Sequence, residues 1–472
     1  ELAPHTRRHF MPRNRMDLSS PLTRRRLLSI AGGSLTAGAF LTSTARRLVA
    51  AEQKAESHIG RDRVSSIEVH PIMVPYQDWI QNVLQHFYGP THRVIYVVHT
   101  ESGLIGLGEG HGREPDEVLE KYIGTSPFDW IGDETSLSLG TAMYDLMGQL
   151  AGVPVAKLFG QRQRQWVPVG SWTVSAAPSQ MAEAVRQYSQ RGYTWLKFHL
   201  SPFENVLDQL EAMEKVAPRG FRVLFDLTSG GTDDNTQELL DQIAQSPLAG
   251  AFEDPLNTKN IEEYATLRQH CRLPILLHHS PLQFTFDVLR RAADGYILGH
   301  AKIGLAMRRA GLMEAAQAPF MLQNVGGLIT RTMTTHMQSV FPTAYLHTHS
   351  DAETWKDDVV NEQIEPVNGL VRVPNRPGLG VTLNREALDR LKNLKLPAQP
   401  KWIIKSEFAN GTKMYNIADP EQNIFMVRPD VRKLIPMSYQ SPISTTWWDD
   451  DGTPEYRAAF QRIEQDGIIL ER

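Results

Sequence analysis

Residues 195–200 have the sequence Trp-Leu-Lys-Phe-His-Leu, and residues 222–226 have the sequence Arg-Val-Leu-Phe-Asp. Both are short apolar runs that contain or end in polar side chains. A third such run, Gly250–Glu253, follows after a similar interval, and amphipathic helical patterns separate the three. Short buried strands alternating with helices are typical of a parallel sheet built from repeated βα units.

The same pattern continues through the central part of the chain and gives eight runs. Eight βα units close naturally into a barrel, whose chemistry lies where the strands end at its C-terminal face. We therefore predict an α/β protein with a (β/α)8-type barrel. The predicted strands are Val167–Val174, Trp195–Leu200, Arg222–Asp226, Gly250–Glu253, Ile275–His279, Gly295–Ile303, Phe320–Gln323 and Ala344–His349.

The ends of seven successive predicted strands carry polar or ionisable side chains. They recur at intervals of about one βα unit, so the barrel would bring them together at its mouth. Any one of them has an ordinary structural explanation, but seven in a row indicate a functional site. These residues are Lys197 and His199, Asp226, Glu253, His278 and His279, His300 and Lys302, Gln323 and Asn324, and His347 and His349.

Ahead of the barrel, strand-like alternation at Ser66–Val69, Val94–His99 and Gly103–Glu109 predicts a small antiparallel sheet. Helical patterns follow it, so we expect an N-terminal α+β domain.

The N-terminus is typical of an export signal. Thr23-Arg24-Arg25-Arg26-Leu27-Leu28-Ser29 precedes a Gly- and Ala-rich apolar run, so we expect residues 1–50 to be a twin-arginine signal. The partner would be the twin-arginine export machinery and the location periplasmic or exported, with an uncleaved membrane anchor as the alternative.

The rest of the chain, residues 51–472, has 40 basic and 51 acidic residues, a formal charge of −11, which argues against a nucleic-acid partner. Cys271 is the only cysteine, so no internal disulfide forms.

Three of the strand-end residues make a candidate metal site. Asp226, Glu253 and His279 follow successive predicted strands, so their side chains can converge beside the barrel axis. This mixed oxygen and nitrogen set suits Mn, Fe or Zn and less obviously Mg. The alternative is a metal-free network in which the carboxylates pair with Lys197 or Lys302.

Five segments also carry a family resemblance. They are Met143–Val155, Phe225-Asp226, Phe252-Glu253-Asp254-Pro255, Ala301-Lys302-Ile303-Gly304, and Asn368-Gly369 through Pro377-Gly378-Leu379-Gly380-Val381. In this order and spacing they resemble the enolase superfamily, in its mandelate racemase and muconate-lactonizing branch. The resemblance implies an enolase-like, modified TIM barrel with a capping domain. We expect a cap at residues 63–165, a barrel at 166–365, a return segment to the cap at 366–390 and a C-terminal extension at 391–472.

The resemblance also implies a reaction. Its members abstract a proton α to a carboxylate while a divalent metal, here Mg, Mn, Fe or Zn, holds the enolate. Lys197 and His199 match the family's Lys-x-Lys strand, which makes Lys197 the partner of the substrate carboxylate and His199 the base. We expect His300 to take part in proton transfer. The expected substrate contacts are Lys302, Gln323 and Asn324.

The sequence departs from the family pattern at several places. The third metal carboxylate becomes His279, and the aspartate and histidine of the opposite-face dyad become Gly299 and Gln323. Racemisation needs acid/base groups on both faces of the α-carbon, so we favour dehydration of a sugar-acid-like carboxylate, with His300 as the second group. The alternatives are a non-catalytic sugar-acid-binding relative and a metal enzyme that uses the His-rich mouth for other chemistry.

Two further segments complete the prediction. Tyr76 to Tyr88 occupies the position of the family's loop over the substrate, so we expect a lid there, with a surface aromatic patch as the alternative. The extension at 391–472 contains no recognisable module, and we expect it to pack on the body or on a neighbouring subunit of a homo-oligomer.

Overall fold

The computed structural model describes residues 60–228, 233–256, 258, 260–279, 284–418 and 439–472. The predicted signal at residues 1–50 lies outside the described residues. Residues Ile59–Arg472 form one compact unit. Within the described ranges, no helix combines the length and the apolar character needed to cross a membrane.

The described chain starts with a three-stranded antiparallel sheet in the order β1-β2-β3. Its strands are β1 (Val64–Val74), β2 (Thr91–Thr100) and β3 (Ile105–Gly110), and helix α1 (Asp78–Tyr88) connects the first two. The strands lie where alternating side chains predict them.

Helices α2 (Asp116–Leu119), α3 (Leu137–Leu150) and α4 (Ala156–Phe159) complete the N-terminal domain. Helix α3 is almost entirely buried and packs closely on β3. The close approach depends on Gly106, because a Cβ there would lie 2.5 Å from the carbonyl oxygen of Ala142.

Seven parallel strands, in chain order across the sheet, form the barrel. They are β5 (Ser171–Val174), β6 (Trp195–His199), β7 (Arg222–Asp226), β8 (Ala249–Glu253), β9 (Ile275–Leu277), β10 (Gly295–Gly299) and β11 (Phe320–Gln323), and β4 (Trp166–Pro168) precedes them outside this sheet. The helices between and after them are α5 (Pro178–Gln190), α6 (Val206–Glu214), α7 (Asp233–Ile243), α8 (Ile261–His270), α9 (Thr285–Leu289), α10 (Ile303–Ala316) and α11 (Leu328–Val340).

The eighth predicted strand, Ala344–His349, is reduced to a single parallel bridge between Val169 and Thr348. The first predicted strand is also divided, because β4 pairs with β12 (Leu370–Arg372) while β5 pairs with β6. The capped barrel predicted from the sequence is nevertheless confirmed. Its centre holds a layer of apolar side chains from five successive strands, namely Leu224, Ala251, Leu276, Ile297 and Met321.

The chain returns to the N-terminal domain after the barrel. The backbone N–H of Leu379 donates to the buried Asp145 carboxylate of α3 at 2.8 Å, and the carbonyl oxygen of Gly378 accepts from Val155 N at 2.9 Å. Helix α12 (Arg385–Asn393) then packs on β1. This segment therefore ties the barrel to the first sheet.

Helix α3 crosses the returning chain at Gly148. A Cβ there would lie 2.7 Å from Gly378 Cα and 2.8 Å from the Val153 carbonyl oxygen, both of them backbone atoms. We expect Gly148→Ala to lower the free energy of unfolding by about 1–3 kcal/mol, the usual cost of overpacking. Urea denaturation measures this. Gly311→Ala is the matched control, since Gly311 is also helical but has no atom within 4 Å of its Cβ position. Equal stability of both variants would contradict the expectation.

The C-terminal extension forms a separate antiparallel sheet in the order β15-β13-β14-β16. Its elements are β13 (Trp402–Phe408), β14 (Lys413–Ala418), β15 (Ile443–Trp448), α13 (Pro454–Asp466) and β16 (Ile469–Glu471). The sheet packs on the loops that follow β6 and β7. There the Tyr439 hydroxyl donates to the Leu227 carbonyl oxygen at 3.0 Å, and the backbone carbonyl oxygen of Tyr439 accepts from Val206 N at 2.8 Å.

Candidate functional site

A cavity of about 400 Å³ opens where the barrel strands end. The N-terminal domain forms part of its wall through Tyr76 and Tyr88, and the barrel contributes Trp172 and Asp351. The wall is rich in imidazole groups: His92, His111, His199, His279, His300 and His349.

The polar groups beneath the cavity follow from strand alternation. Side chains two residues apart on a strand face the same way, so the residues two positions beyond the apolar layer also face the barrel axis. These residues are Asp226, Glu253, His278, Gly299 and Gln323. The strand register aligns His199 with Asp226 and Asp226 with Glu253.

Lys197 lies fully buried beneath this layer and contacts both carboxylates. Its Nζ atom is 3.0 Å from Asp226 Oδ2 and 2.7 Å from Glu253 Oε1, and it donates to Gln323 Oε1 at 3.2 Å. Burial lowers the pKa of Lys197, but the two carboxylates outweigh it and hold the pKa above its usual value. The prediction that Lys197 meets the substrate carboxylate is not supported, because the side chain is 0% exposed and does not line the cavity.

The two carboxylates respond to this single ammonium group in opposite ways. For Asp226, Lys197 and His199 overcome the effect of burial and hold the pKa well below its usual value. For Glu253, burial and the charge of Asp226 raise the pKa. One lysine therefore does not neutralise both groups.

His199 connects this buried pair to the cavity. Its Nδ1 atom lies 3.0 Å from Asp226 Oδ2, and its ring lines the cavity with 14% of the side chain exposed. The contact with Asp226 is electrostatic, because His199 Nδ1 lacks the geometry of a hydrogen bond to it.

The structure places the imidazole of His278, rather than that of His279, beside the predicted metal ligands. His278 Nδ1 is 3.1 Å from Glu253 Oε1, whereas His279 Nδ1 pairs with Asp254 at 2.7 Å and the side chain is 52% exposed. His278 continues the alternation from Leu276 and faces the barrel axis, whereas His279 pairs with Asp254 and lines the cavity. The inward-facing ring of His278 also explains why residue 299 is a glycine, because a Cβ at that position would overlap the ring.

The side chains at this edge of the barrel include ligand types that a divalent metal accepts. Glu253 Oε2 is buried and has no hydrogen-bond partner among the described residues, so it is free to act as a ligand. Asp226, Glu253 and His278 supply two carboxylates and an imidazole, a donor set that suits Mn, Fe or Zn. Among the described residues, however, the ligand atoms that all lie within 4.8 Å of one another are those of Asp254, His278 and His279, whereas the Lys197 ammonium group contacts both Asp226 and Glu253.

The remaining predicted residues are divided between the cavity and other locations. His300 lines the cavity, and its ring lies 5.5 Å from that of His111. Gln323 also lines it. The substrate-binding roles predicted for Lys302 and Asn324 are not supported: Lys302 is exposed before α10, while Asn324 is buried and donates to Thr334 at 3.1 Å.

Sequence reasoning missed two cavity histidines, His92 and His111. Both belong to the N-terminal domain, far from the barrel in sequence, and no periodic pattern indicates which of its residues face the barrel. His278 and His349 were among the predicted strand-end residues but were not assigned to the metal site, although counting in twos from Leu276 places His278 on the axis.

The C-terminal sheet holds the predicted lid. Helix α1 carries Tyr88 at the cavity, and its His86 lies against the extension. His86 Nε2 is 2.8 Å from Asp449 Oδ1, and its ring stacks on Trp447 at 4.7 Å and meets the edge of Trp402 at 4.9 Å. The extension therefore fixes one wall of the site.

We expect Trp447→Ala to loosen this lid. Loss of the stacked pair should raise amide hydrogen exchange in Asp78–Tyr88 by up to about tenfold, as expected for an aromatic pair. Hydrogen-exchange mass spectrometry measures this effect. Trp448→Ala is the matched control, since the next side chain of β15 packs with Lys405 and Tyr456 instead. Unchanged exchange in α1 would show that the extension does not hold it.

Comparison with known proteins agrees with this architecture. The family model described as enolase C-terminal domain-like matches residues 180–387. Arabinonate dehydratase of Saccharolobus solfataricus is 21% identical over 66% of this chain and 93% of its own length. D-Ala-D/L-Ala epimerase of Cytophaga hutchinsonii is 23% identical over 64% of this chain and 91% of its own.

A solved structure has the same fold. The dipeptide epimerase from Cytophaga hutchinsonii, complexed with Mg and the dipeptide D-Ala-L-Val, matches with a TM-score of 0.58 and 21% identity. The match covers 70% of this chain and 98% of that one. Residues 180–387 thus belong to the enolase C-terminal domain-like family, and the relatives of the longer chain include sugar-acid dehydratases and epimerases of that superfamily.

Proposed function

We propose that this protein is a metal-dependent lyase or isomerase that abstracts the proton α to the carboxylate of a small, sugar-acid-like substrate. The observation that carries the proposal is the placement of His199, whose ring lines the cavity while its Nδ1 atom lies 3.0 Å from the buried Asp226. An imidazole beside a carboxylate and open to a cavity is the arrangement that a general base needs.

His199 would take the α-proton on the ring nitrogen that does not face Asp226. The imidazolium that forms is stabilised by the Asp226 carboxylate, which already lies beside the ring. Lys197 keeps Asp226 and Glu253 together beneath the base. It acts as a positioning residue because it does not reach the cavity.

Asp226, Glu253 and His278 would hold the divalent metal. A bound cation would stabilise the negative charge that develops on the substrate carboxylate as the α-proton leaves. The substrate would lie between this edge of the barrel and the wall formed by the N-terminal domain.

We favour dehydration over racemisation. Loss of water requires one base and one acid that protonates the departing hydroxyl, roles that His199 and His300 would fill. His300, four strands away from His199 in the barrel, lies on the opposite side of the axis and can bind the departing group. The similarity to arabinonate dehydratase supports this choice, and the similarity to an epimerase supports the shared first step.

The reaction is tested by incubating the protein with a panel of aldonic acids in D₂O. We expect deuterium at the α-carbon, a 2-keto-3-deoxy product, or both, from at least one acid, as observed by NMR and mass spectrometry. Tight binding with neither exchange nor product would favour a non-catalytic binding protein instead.

We expect about one equivalent of a divalent metal per chain in elemental analysis after dialysis against Mg, Mn, Fe and Zn in turn. Glu253→Gln should lose it, because the variant removes one of two carboxylate ligands. His278→Gln should weaken binding, whereas His279→Gln should retain the metal. Loss in His279→Gln but not in Glu253→Gln would move the metal to the group formed by Asp254, His278 and His279.

A further inference from the structure

The last barrel segment places one of the cavity imidazoles, that of His349, against the cavity. Its neighbour Thr348 bridges Val169, and the Thr348 carbonyl oxygen accepts from Gly170 N at 2.8 Å. His349 itself is only 4% exposed, yet it lines the cavity. The backbone therefore fixes this ring between the first and last parts of the barrel.

Gly170 provides the space for this ring. A Cβ at position 170 would lie 2.6 Å from His349 Nε2, closer than atoms of real side chains approach. The backbone of Gly170 does not have a positive φ angle, so the glycine is required here for space and not for backbone conformation. The His349 ring therefore occupies space that only a glycine at position 170 leaves open.

Neither ring nitrogen of His349 has a hydrogen-bond partner among the described residues. A histidine with a structural role behaves differently in this same chain. His336 is fully buried, and its Nδ1 atom accepts from Ala156 N at 3.3 Å while Nε2 donates to the Leu379 carbonyl oxygen at 2.9 Å. Both nitrogens are shielded from solvent, with Nε2 nearest to Gly170, and buried polar atoms without partners cost free energy, so a substrate group that reaches the ring would be stabilised by pairing with it.

The chemistry of the ring limits what that ligand is. Burial, followed by the charge of Lys197, holds the pKa of His349 well below its usual value, so the imidazole is neutral. A neutral imidazole offers one donor and one acceptor. A carboxylate only accepts and cannot pair with an acceptor nitrogen, whereas a hydroxyl group can pair with either a donor or an acceptor nitrogen.

We propose that His349 is a substrate-binding residue that hydrogen-bonds a hydroxyl group of the substrate, so that the site selects hydroxylated acids over their deoxy analogues. This inference rests on the proposed function for the identity of the acid. It does not depend on catalysis, because it concerns binding.

The test is the affinity of the full-length protein for matched pairs of aldonic and deoxy acids, measured by calorimetry. We expect the wild type to prefer the hydroxylated member, and His349→Phe to weaken its binding by about ten- to a hundredfold while leaving the deoxy acid unaffected. Gly170→Ala should have the same effect because it displaces the ring. His347→Phe is the matched control, since that ring stacks on Trp195 and lies outside the cavity wall.

Three results would overturn the proposal: equal affinity of the wild type for both members of a pair, no binding of either, or an equal loss for both members in His349→Phe. The last result would indicate a structural role for the ring. Selective binding without α-proton exchange would instead contradict the proposed function and leave the role of His349 intact.

Discussion

His199→Gln is expected to reduce α-proton exchange by about 10²–10⁴-fold, the usual contribution of a positioned general base. Glutamine fills similar space and can still meet Asp226, but its amide does not accept a proton near neutral pH. The rate of deuterium incorporation into the substrate, measured by NMR in D₂O, reports this step directly.

Two controls separate loss of the base from damage to the site. His199→Gln should retain the bound metal in elemental analysis, because Asp226, Glu253 and His278 are unchanged. His347→Gln should exchange at the wild-type rate, since His347 stacks on Trp195 away from the cavity. Exchange at the wild-type rate in His199→Gln would show that another group, such as His300, is the base.

The barrel was predictable because its strands are short apolar runs with a regular spacing, and every strand end lies at the same face. That argument located Lys197, His199, Asp226 and Glu253, all of which the structure brings together. It could not show that Lys197 lies under the carboxylates, because the depth of a side chain in a barrel depends on the relative stagger of the strands.

The structure places the imidazole of His278, and not that of His279, beside Glu253, while the assignment of His279 as a metal ligand stays a prediction. The residues after Leu277 no longer belong to a strand, but the alternation continues for one more residue and places His278 on the axis. The backbone N–H groups of His278 and His279 both donate to the Asp254 carboxylate at 2.9 Å, and the two rings lie 4.4 Å apart.

The extension contained a signal that the sequence analysis did not use. Asn410-Gly411 lies between Trp402–Phe408 and Lys413–Ala418, and an Asn-Gly pair between two strand-like runs predicts a hairpin. The structure has that hairpin as β13 and β14. The contact of His86 with Trp447 and Asp449 was not predictable, because no sequence rule relates a cap helix to a sheet far along the chain.

Lys197→Met is expected to lower the free energy of unfolding by about 3–5 kcal/mol, the usual cost of breaking a buried ion pair by removing one partner. The lysine side chain is 0% exposed and Asp226 and Glu253 are 2% and 0% exposed, so solvent cannot replace the ammonium group. Urea denaturation in the presence of a chelator measures the change without a contribution from metal binding.

The double variant Lys197→Met/Glu253→Gln decides what the loss means. If it arises from two carboxylates left without a cation, removing one of those charges should recover a substantial part of the lost stability. If the loss of unfolding free energy in the double variant instead equals the sum of the losses in the two single variants, the lysine contributes through packing of its aliphatic chain. In that case the buried network would not depend on charge balance, and the support that Lys197 gives to the base and the metal ligands would have to be steric.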